Sequence, residues 1–149
     1  MEGLVLDTSV LVEYIVLGSP YRGAVARLLE RARAGGPRLY VSAVTLSELL
    51  YVSSRVYQAA GSGDPNRDAL DFVRWVKSRA QVVGVDEGLA IRAGELRKRL
   101  RIALPDCYVI ATAEAVGAAP LFRSVEEEMR PVEGELRKLG VEFLDEIEL

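Results

Sequence analysis

The sequence lacks histidine and contains a single cysteine, Cys107, among its 149 residues. Without histidine the chain cannot form a Ser-His-Asp catalytic triad, a histidine-based zinc site or a histidine acid–base catalyst. One cysteine excludes an intrachain disulfide and a zinc cluster of thiolates. Carboxylates, hydroxyls, arginine and lysine remain for chemistry, and abundant acids without soft ligands favour a hard cation such as Mg²⁺ or Mn²⁺.

Charge and hydropathy bear on whether the chain binds nucleic acid or crosses a membrane. The net charge of −3 gives no overall positive field that would attract nucleic acid, although 16 of the 19 basic residues are arginine, which suits phosphate contacts. No run of about 18 apolar residues is present, which predicts no membrane span. The N-terminal apolar stretch is interrupted by Asp7 and Glu13 and has no basic leader, so a cytoplasmic location is predicted.

Short apolar runs alternate with segments whose apolar residues recur at helical spacing. Buried strands are predicted at residues 4–6, 39–41, 82–85, 120–122 and 141–144. Helices are predicted from Thr8 or Ser9, over 20–34, from Ser42, over 70–79, after Asp86, over 104–117 and over 131–139. This alternation predicts one α/β domain over residues 1–149, with a parallel sheet covered on both faces.

Four acids stand next to these predicted elements. Asp7 follows the first strand, Glu48 lies on the helix after the second strand, Asp106 is in the first turn of a helix, and Glu126 follows the fourth strand. Each also has a structural explanation, as a helix cap, a solvent-exposed side chain, a partner of the helix dipole or part of the capping box at Ser124-Val125-Glu126-Glu127. In a doubly wound fold the four can converge at one end of the sheet, where a divalent cation would relieve their repulsion.

The helix before Asp106 carries five basic residues, namely Arg92, Arg97, Lys98, Arg99 and Arg101. Helical spacing places Arg97 and Arg101 on one face, and we expect these two to contact phosphate groups near the acidic cleft. A solvated helix face is the alternative interpretation, in which case Arg123 and Arg130 are the next candidates for binding nucleic acid.

Three segments carry a family resemblance. Leu6-Asp7-Thr8-Ser9-Val10, Ser47-Glu48-Leu49-Leu50 and the segment 104–113 resemble the signature segments of PIN-domain ribonucleases, and most closely those of the VapC-type toxins of prokaryotic toxin–antitoxin pairs. The resemblance spans nearly the whole chain. It implies a three-layer PIN-like fold with a parallel sheet of four to five strands flanked by helices, a Mg²⁺ or Mn²⁺ site, cleavage of single-stranded RNA, a homodimer and a small antitoxin partner.

The resemblance also assigns residues by position. Asp7, Glu48 and Asp106 match the catalytic, metal-binding acids of the family, and Thr8 or Ser9 matches its hydroxyl beside the first acid. The family's fourth acid stands in a Thr-x-Asp segment after the fourth strand, and the nearest match is Ser124-Val125-Glu126. Here Glu replaces Asp and Arg123-Ser124 replaces an apolar-Thr pair, so Glu127 or Glu128 could take the place of Glu126.

Two functions of different classes follow from these observations. The first is a metal-dependent endoribonuclease that acts on single-stranded or structured RNA and is the toxin of a toxin–antitoxin pair. The second is a PIN-like module that binds RNA or protein with little catalysis, because its fourth acid departs from the family pattern. A receiver-type phosphoacceptor is a distant third, since it needs an acidic pair before the first helix and a lysine at a late strand end, which the sequence lacks.

Overall fold

A computed structural model describes residues 2–149, in which five parallel strands alternate with seven α-helices. The strands are β1 (Gly3–Leu6), β2 (Arg38–Ser42), β3 (Gln81–Val83), β4 (Ala119–Phe122) and β5 (Glu142–Phe143). They lie in the order β3-β2-β1-β4-β5, and each neighbouring pair is parallel. The predicted α/β fold with a parallel sheet is confirmed, with five strands.

Six of the seven helices begin within two residues of the predicted positions, whereas the helix predicted over 70–79 begins five residues earlier, at Pro65, where the Asp64 side chain caps it. The helices are α1 (Thr8–Leu11), α2 (Arg22–Arg33), α3 (Ala43–Ala59), α4 (Pro65–Arg79), α5 (Glu87–Leu100), α6 (Leu104–Val116) and α7 (Glu133–Lys138). Two 3₁₀ turns, Val12–Tyr14 and Glu127–Val132, follow α1 and precede α7. The side chains of Ser42 and Asp86 cap α3 and α5 by accepting backbone N–H groups, as their sequence positions predict. No helix among residues 2–149 combines the length and the apolar character that crossing a bilayer requires.

The central strand β1 is buried on both faces. Leu4 and Leu6 pack on one side of the sheet with apolar residues of α2, α3 and α4, whereas Val5 packs on the other side with residues of α5 and α6. Successive side chains of a strand point to opposite faces, so an unbroken apolar run is what a strand between two helical layers requires. The fold therefore has three layers, with the sheet between two layers of helices.

The strand order reverses direction beside β1. The chain runs from β1 to β2 and β3 on one side of the sheet, and then places β4 and β5 on the other side. In open α/β sheets a crevice opens at such a reversal, outside the carboxyl ends of the strands, and ligands bind there. Asp7 directly follows β1 and Arg123 directly follows β4, so these two residues border the crevice.

The predicted capping box at Ser124 is wrong. The 3₁₀ turn begins at Glu127, and the residue that precedes it, Glu126, makes no capping hydrogen bond with its side chain. The carbonyls of Phe122 and Arg123 accept hydrogen bonds from the N–H groups of Leu144 and Asp145. These bonds hold the chain beside the last strand segment past Phe122, the backbone bends at Arg123 and Ser124, and the helical turn starts later than the local sequence pattern indicates.

Candidate active site

A cleft of about 340 Å³ opens at the carboxyl end of β1, where the strand order reverses. Its wall contains five acids, Asp7, Glu48, Asp106, Glu126 and Glu128, together with Arg123, Thr8, Ser9 and three apolar residues. A larger cavity of about 520 Å³ lies elsewhere, around Tyr14 and Trp75. Volume alone does not select the site, and the convergence of carboxylates from four separate segments identifies the smaller cleft as the candidate.

Asp7 both caps a helix and faces the cleft. One carboxylate oxygen, Oδ2, accepts a hydrogen bond from the Ser9 N–H at 3.0 Å and so caps α1. The other oxygen, Oδ1, is buried and has no hydrogen-bond partner among residues 2–149. Burial raises the pKa of Asp7 from 3.8 to about 6, although the hydrogen bonds from Ser9 oppose this shift. The capping interpretation therefore accounts for one oxygen of Asp7 and leaves the other without a partner in the cleft.

Glu48 is fixed by a neighbouring hydroxyl. Thr8 Oγ1 donates a hydrogen bond to Glu48 Oε1 at 2.7 Å, which links the start of α1 to α3. The next residue, Leu49, is fully buried in the core. Because α3 packs against the sheet through Leu49, Glu48 lies at the edge of that contact, half-buried and in the cleft wall.

Asp106 lies at the centre of a second group of acids. It is 9% exposed, in the first turn of α6, and its neighbour Cys107 is fully buried. Asp106, Glu126 and Glu128 each offer a carboxylate oxygen within 4.8 Å of the others. Burial, and then the charges of Asp7, Glu126 and Glu128, raise the pKa of Asp106 from 3.8 to about 8. In the metal-free protein this carboxyl therefore holds a proton at neutral pH, which a bound cation would replace.

These residues fit a hard divalent cation. The donor set consists of carboxylate oxygens, which Mg²⁺ and Mn²⁺ prefer. A cation bound here would give the unpartnered Oδ1 of Asp7 a partner and would offset the neighbouring charges that help to raise the pKa of Asp106. Glu126 and Glu128 both lie in the group of carboxylates around Asp106. Glu127 is exposed and is not among the described residues that line the cleft.

The remaining predicted hydroxyls have different positions. Ser9 Oγ accepts a hydrogen bond from the backbone N–H of Arg123 at 3.1 Å and so joins the two sides of the crevice. Ser124 is half-buried and is not among the described residues that line the cleft.

The basic residues of α5 lie outside the described cleft wall. Arg92 and Arg99 form ion pairs with Glu114 at 2.9 Å and with Glu135 at 3.1 Å. Arg97 and Arg101 are exposed, and α5 ends at Leu100 with Arg101 in the left-handed conformation at φ 59°. The Arg101 N–H still donates a hydrogen bond to the carbonyl of Arg97 at 2.9 Å, so Arg101 stands one turn beyond Arg97 at the end of α5. Their contact with phosphate groups stays a prediction.

The metal-free protein is expected to lose stability as the pH rises from about 4 to about 8. The folded chain keeps protons on Asp7 and Asp106 up to pKa values of about 6 and about 8, whereas the unfolded chain releases them near 3.8. By linkage, the free energy of unfolding falls over the range in which only the folded chain binds these protons. Melting temperatures in EDTA at pH 5 and pH 8 measure this loss. An equal loss in the double variant Asp7→Asn/Asp106→Asn would contradict it.

The two glutamates beside Asp106 are expected to share one role. For the RNA cleavage that the family resemblance implies, Glu126→Gln should lower kcat/KM less than Asp7→Asn does, because Glu128 still offers a carboxylate to the same group. The double variant Glu126→Gln/Glu128→Gln should lower kcat/KM as much as Asp7→Asn. If Glu126→Gln alone has the full effect, Glu128 is not a substitute for it.

Comparisons with known proteins give one family model and several solved structures with a similar fold. The family model of the PIN domain matches residues 4–135. No curated protein sequence matches the chain. Three solved structures with a similar fold come from toxin or toxin–antitoxin proteins. VapBC2 from Rickettsia felis bound to a promoter DNA fragment is 19% identical with a TM-score of 0.68, and the match covers 94% of this chain and 97% of that chain. DNA-bound VapBC from Salmonella typhimurium is 21% identical with a TM-score of 0.66, and the match covers 96% of this chain and 97% of that chain. VapC20 from Mycobacterium tuberculosis, a sarcin-ricin loop cleaving toxin, is 17% identical with a TM-score of 0.62, and the match covers 79% of this chain and 87% of that chain.

Proposed function

This chain belongs to the PIN domain family, and we propose that it is a Mg²⁺- or Mn²⁺-dependent endoribonuclease that cleaves single-stranded or structured RNA as the toxin of a toxin–antitoxin pair. The observation that carries the proposal is the convergence of Asp7, Glu48 and Asp106 with Glu126 and Glu128 in one cleft. PIN-domain nucleases generally use divalent metal, and the donor set of this cleft supports the same use here.

The acids of the cleft have distinct roles in the proposed reaction. Asp7, Asp106 and one or both of Glu126 and Glu128 would hold the cation, which would neutralise phosphodiester charge and lower the pKa of a water molecule. Glu48 is held in one orientation by Thr8, so its carboxylate is placed to accept a proton from the attacking water.

The charge of the cleft supports a role for metal in substrate binding as well as in cleavage. Five acids and one arginine line it, so a phosphodiester that approaches the metal-free protein is repelled. A bound divalent cation reduces this repulsion at the position where the phosphate must lie. RNA affinity and the rate of RNA cleavage should therefore depend in the same way on the concentration of the divalent cation.

Partners are proposed on the same basis. The similar structures from Rickettsia felis and Salmonella typhimurium are VapBC complexes, and a further similar structure is a toxin–antitoxin complex from Klebsiella pneumoniae. These likenesses support a small antitoxin protein as the partner of this chain, and the family resemblance supports a homodimer in the cytoplasm. The second candidate is a binding module with little catalysis, and it was suggested by the departure of the fourth acid from the family pattern. It is less well supported, because both Glu126 and Glu128 lie beside Asp106 and can supply that fourth carboxylate.

Expression in a bacterial host tests the proposal. Induction of the wild-type chain is expected to arrest growth and to leave RNA cut at discrete sites, which sequencing of RNA 5′ ends detects. Asp7→Asn should relieve both effects, and co-expression of the open reading frame beside the gene should relieve them for the wild type. Arrest by Asp7→Asn equal to that of the wild type would contradict a nuclease toxin.

A further inference from the structure

Glu13 is a buried carboxylate that lies outside the group of cleft acids. Its side chain is 8% exposed, in the 3₁₀ turn that follows α1. Oε1 accepts a hydrogen bond from Nη1 of Arg123 at 3.0 Å, and Oε2 accepts one from the Ser19 hydroxyl at 2.8 Å. A buried carboxylate is tolerated when it is paired and hydrogen-bonded. Glu13 meets both conditions, so its position is fixed.

Arg123 is in turn held from three directions. Its backbone N–H donates to Ser9 Oγ at 3.1 Å, its guanidinium donates to Glu13, and its Cζ lies 5.5 Å from the centre of the Tyr21 ring. The side chain nevertheless remains 38% exposed and lines the cleft. Glu13 takes one of the five N–H donors of the guanidinium. The Nε–H is buried and has no hydrogen-bond partner among residues 2–149, so the remaining Nη donors are the ones that can bind a phosphate.

Among the described residues that line the cleft, Arg123 is the basic one, beside five acids. An arginine that is already held loses less rotamer freedom when it binds a ligand than a free one does. We propose that Glu13 is a positioning residue, which holds the guanidinium of Arg123 at the cleft wall so that this guanidinium binds a phosphate group of the RNA adjacent to the cleaved bond. The inference rests on the proposed nuclease function and extends it to two residues outside the acid group.

A purely structural ion pair would behave differently. Such a pair would stabilise the turn Val12–Tyr14 against the end of β4, and its loss would lower the melting temperature without changing how affinity depends on salt. The proposed role instead predicts that Glu13 acts on RNA through Arg123. The effect of Glu13→Gln should then vanish when Arg123 is already absent, which a double-mutant cycle measures directly.

Steady-state cleavage of a labelled single-stranded RNA with Mn²⁺ provides the first readout. Arg123→Gln is expected to raise KM about tenfold or more, since it removes a charge-assisted contact. Glu13→Gln is expected to raise KM about fivefold, with a much smaller change in kcat, since the arginine remains but is no longer held. The double variant should match Arg123→Gln alone. Arg123→Lys should recover part of the affinity.

The salt dependence of RNA binding provides the second readout. It is measured by fluorescence anisotropy with Mn²⁺ in the inactive Glu48→Gln background, which keeps the acids proposed to hold the cation, at salt concentrations from about 50 to about 200 mM. Arg123→Gln should lower the slope of log affinity against log salt by about 0.7, the value for one phosphate contact to a single strand. Glu30→Gln and Arg33→Gln are matched controls, because these residues form an exposed ion pair on α2 at 3.9 Å. Both controls should behave as the wild type.

Each outcome decides the inference. If the wild type cleaves RNA and Glu13→Gln and Arg123→Gln keep its KM and salt slope, the inference falls and the nuclease function stands. If the wild type neither binds nor cleaves RNA, both fall. If Glu13→Gln does not fold, Ser19→Ala takes its place, because it removes one hydrogen bond to Glu13. Ser19→Ala should raise KM by a smaller factor, and this rise should vanish in the Arg123→Gln background. A rise that persists there overturns the inference.

Discussion

Replacement of Asp106 by asparagine is expected to abolish RNA cleavage while it makes the metal-free protein more resistant to heat. Asp106 is buried beside Glu126 and Glu128, and burial together with neighbouring charges raises its pKa to about 8. Asparagine keeps the shape of the side chain but carries neither the charge that binds a cation nor the proton that the folded state must retain. Loss of function and gain of stability should therefore occur in the same variant.

The size of the stabilisation depends on pH. Near pH 4 the wild-type carboxyl is protonated in the folded state, so the variant should differ little. At pH 8 the unfolded wild-type chain gains stability by ionising Asp106, and each unit of pKa difference corresponds to about 1.4 kcal/mol. About one and a half units of that pKa difference, a fraction of the full shift, already correspond to a stabilisation on the order of 2 kcal/mol. This corresponds to a melting temperature at least about 4–8 °C higher for a chain of this length.

Thermal unfolding in EDTA at pH 8 and an RNA cleavage assay with Mn²⁺ check the two halves of this prediction. Asp71→Asn is the matched control, because Asp71 is an exposed acid on α4 that pairs with Arg74. It should keep wild-type cleavage and change the free energy of unfolding by about 0.5 kcal/mol or less. An Asp106→Asn protein that cleaves RNA at the wild-type rate would show that Asp106 has no role in the chemistry.

Removal of divalent cations is expected to have the second large effect. Cleavage in EDTA should fall below detection and return with Mg²⁺ or Mn²⁺, because the acids of the cleft repel the phosphodiester without a bound cation. Mn²⁺ at about 100 times its dissociation constant should stabilise the wild-type protein by about 2.7 kcal/mol. Its affinity should rise between pH 6 and pH 8, since the cation displaces the proton of Asp106.

The control for metal binding is Asp7→Asn, which removes the charge next to the unpartnered oxygen of the site. Mn²⁺ should raise the melting temperature of this variant by much less than that of the wild type. Undiminished cleavage in EDTA, or an equal thermal shift in Asp7→Asn, would contradict a metal site in this cleft.

The local sequence predicts the elements of this fold well, because their signals lie within a few residues. Buried runs such as 4–6 give strands between two helical layers, and Ser42 and Asp86 cap the helices that follow them. The capping box at Ser124 fails for a non-local reason. Hydrogen bonds from Leu144 and Asp145 hold Phe122 and Arg123 beside the last strand segment, and no pattern within the segment 122–127 itself predicts those contacts.

The candidate site is predictable to the same degree. The positions of Asp7, Glu48 and Asp106 next to predicted elements, together with a family resemblance, are enough to expect them in one cleft. The pattern could not choose between Glu126 and Glu128, because the choice depends on the turn Glu127–Val132 and on the reach of each side chain toward Asp106. The pairing of Glu13 with Arg123 was also beyond local patterns, since 110 residues separate them.

The rate at which purified protein cleaves a labelled single-stranded RNA in Mn²⁺, measured side by side for the wild type and Asp7→Asn, tests the central claim most directly. The account predicts multiple-turnover cleavage by the wild type, none by Asp7→Asn, and none by either protein in EDTA. Equal cleavage by the two proteins, or none by a folded, Mn²⁺-loaded wild type across a set of unrelated RNA sequences, would contradict the assignment of this cleft as a ribonuclease site.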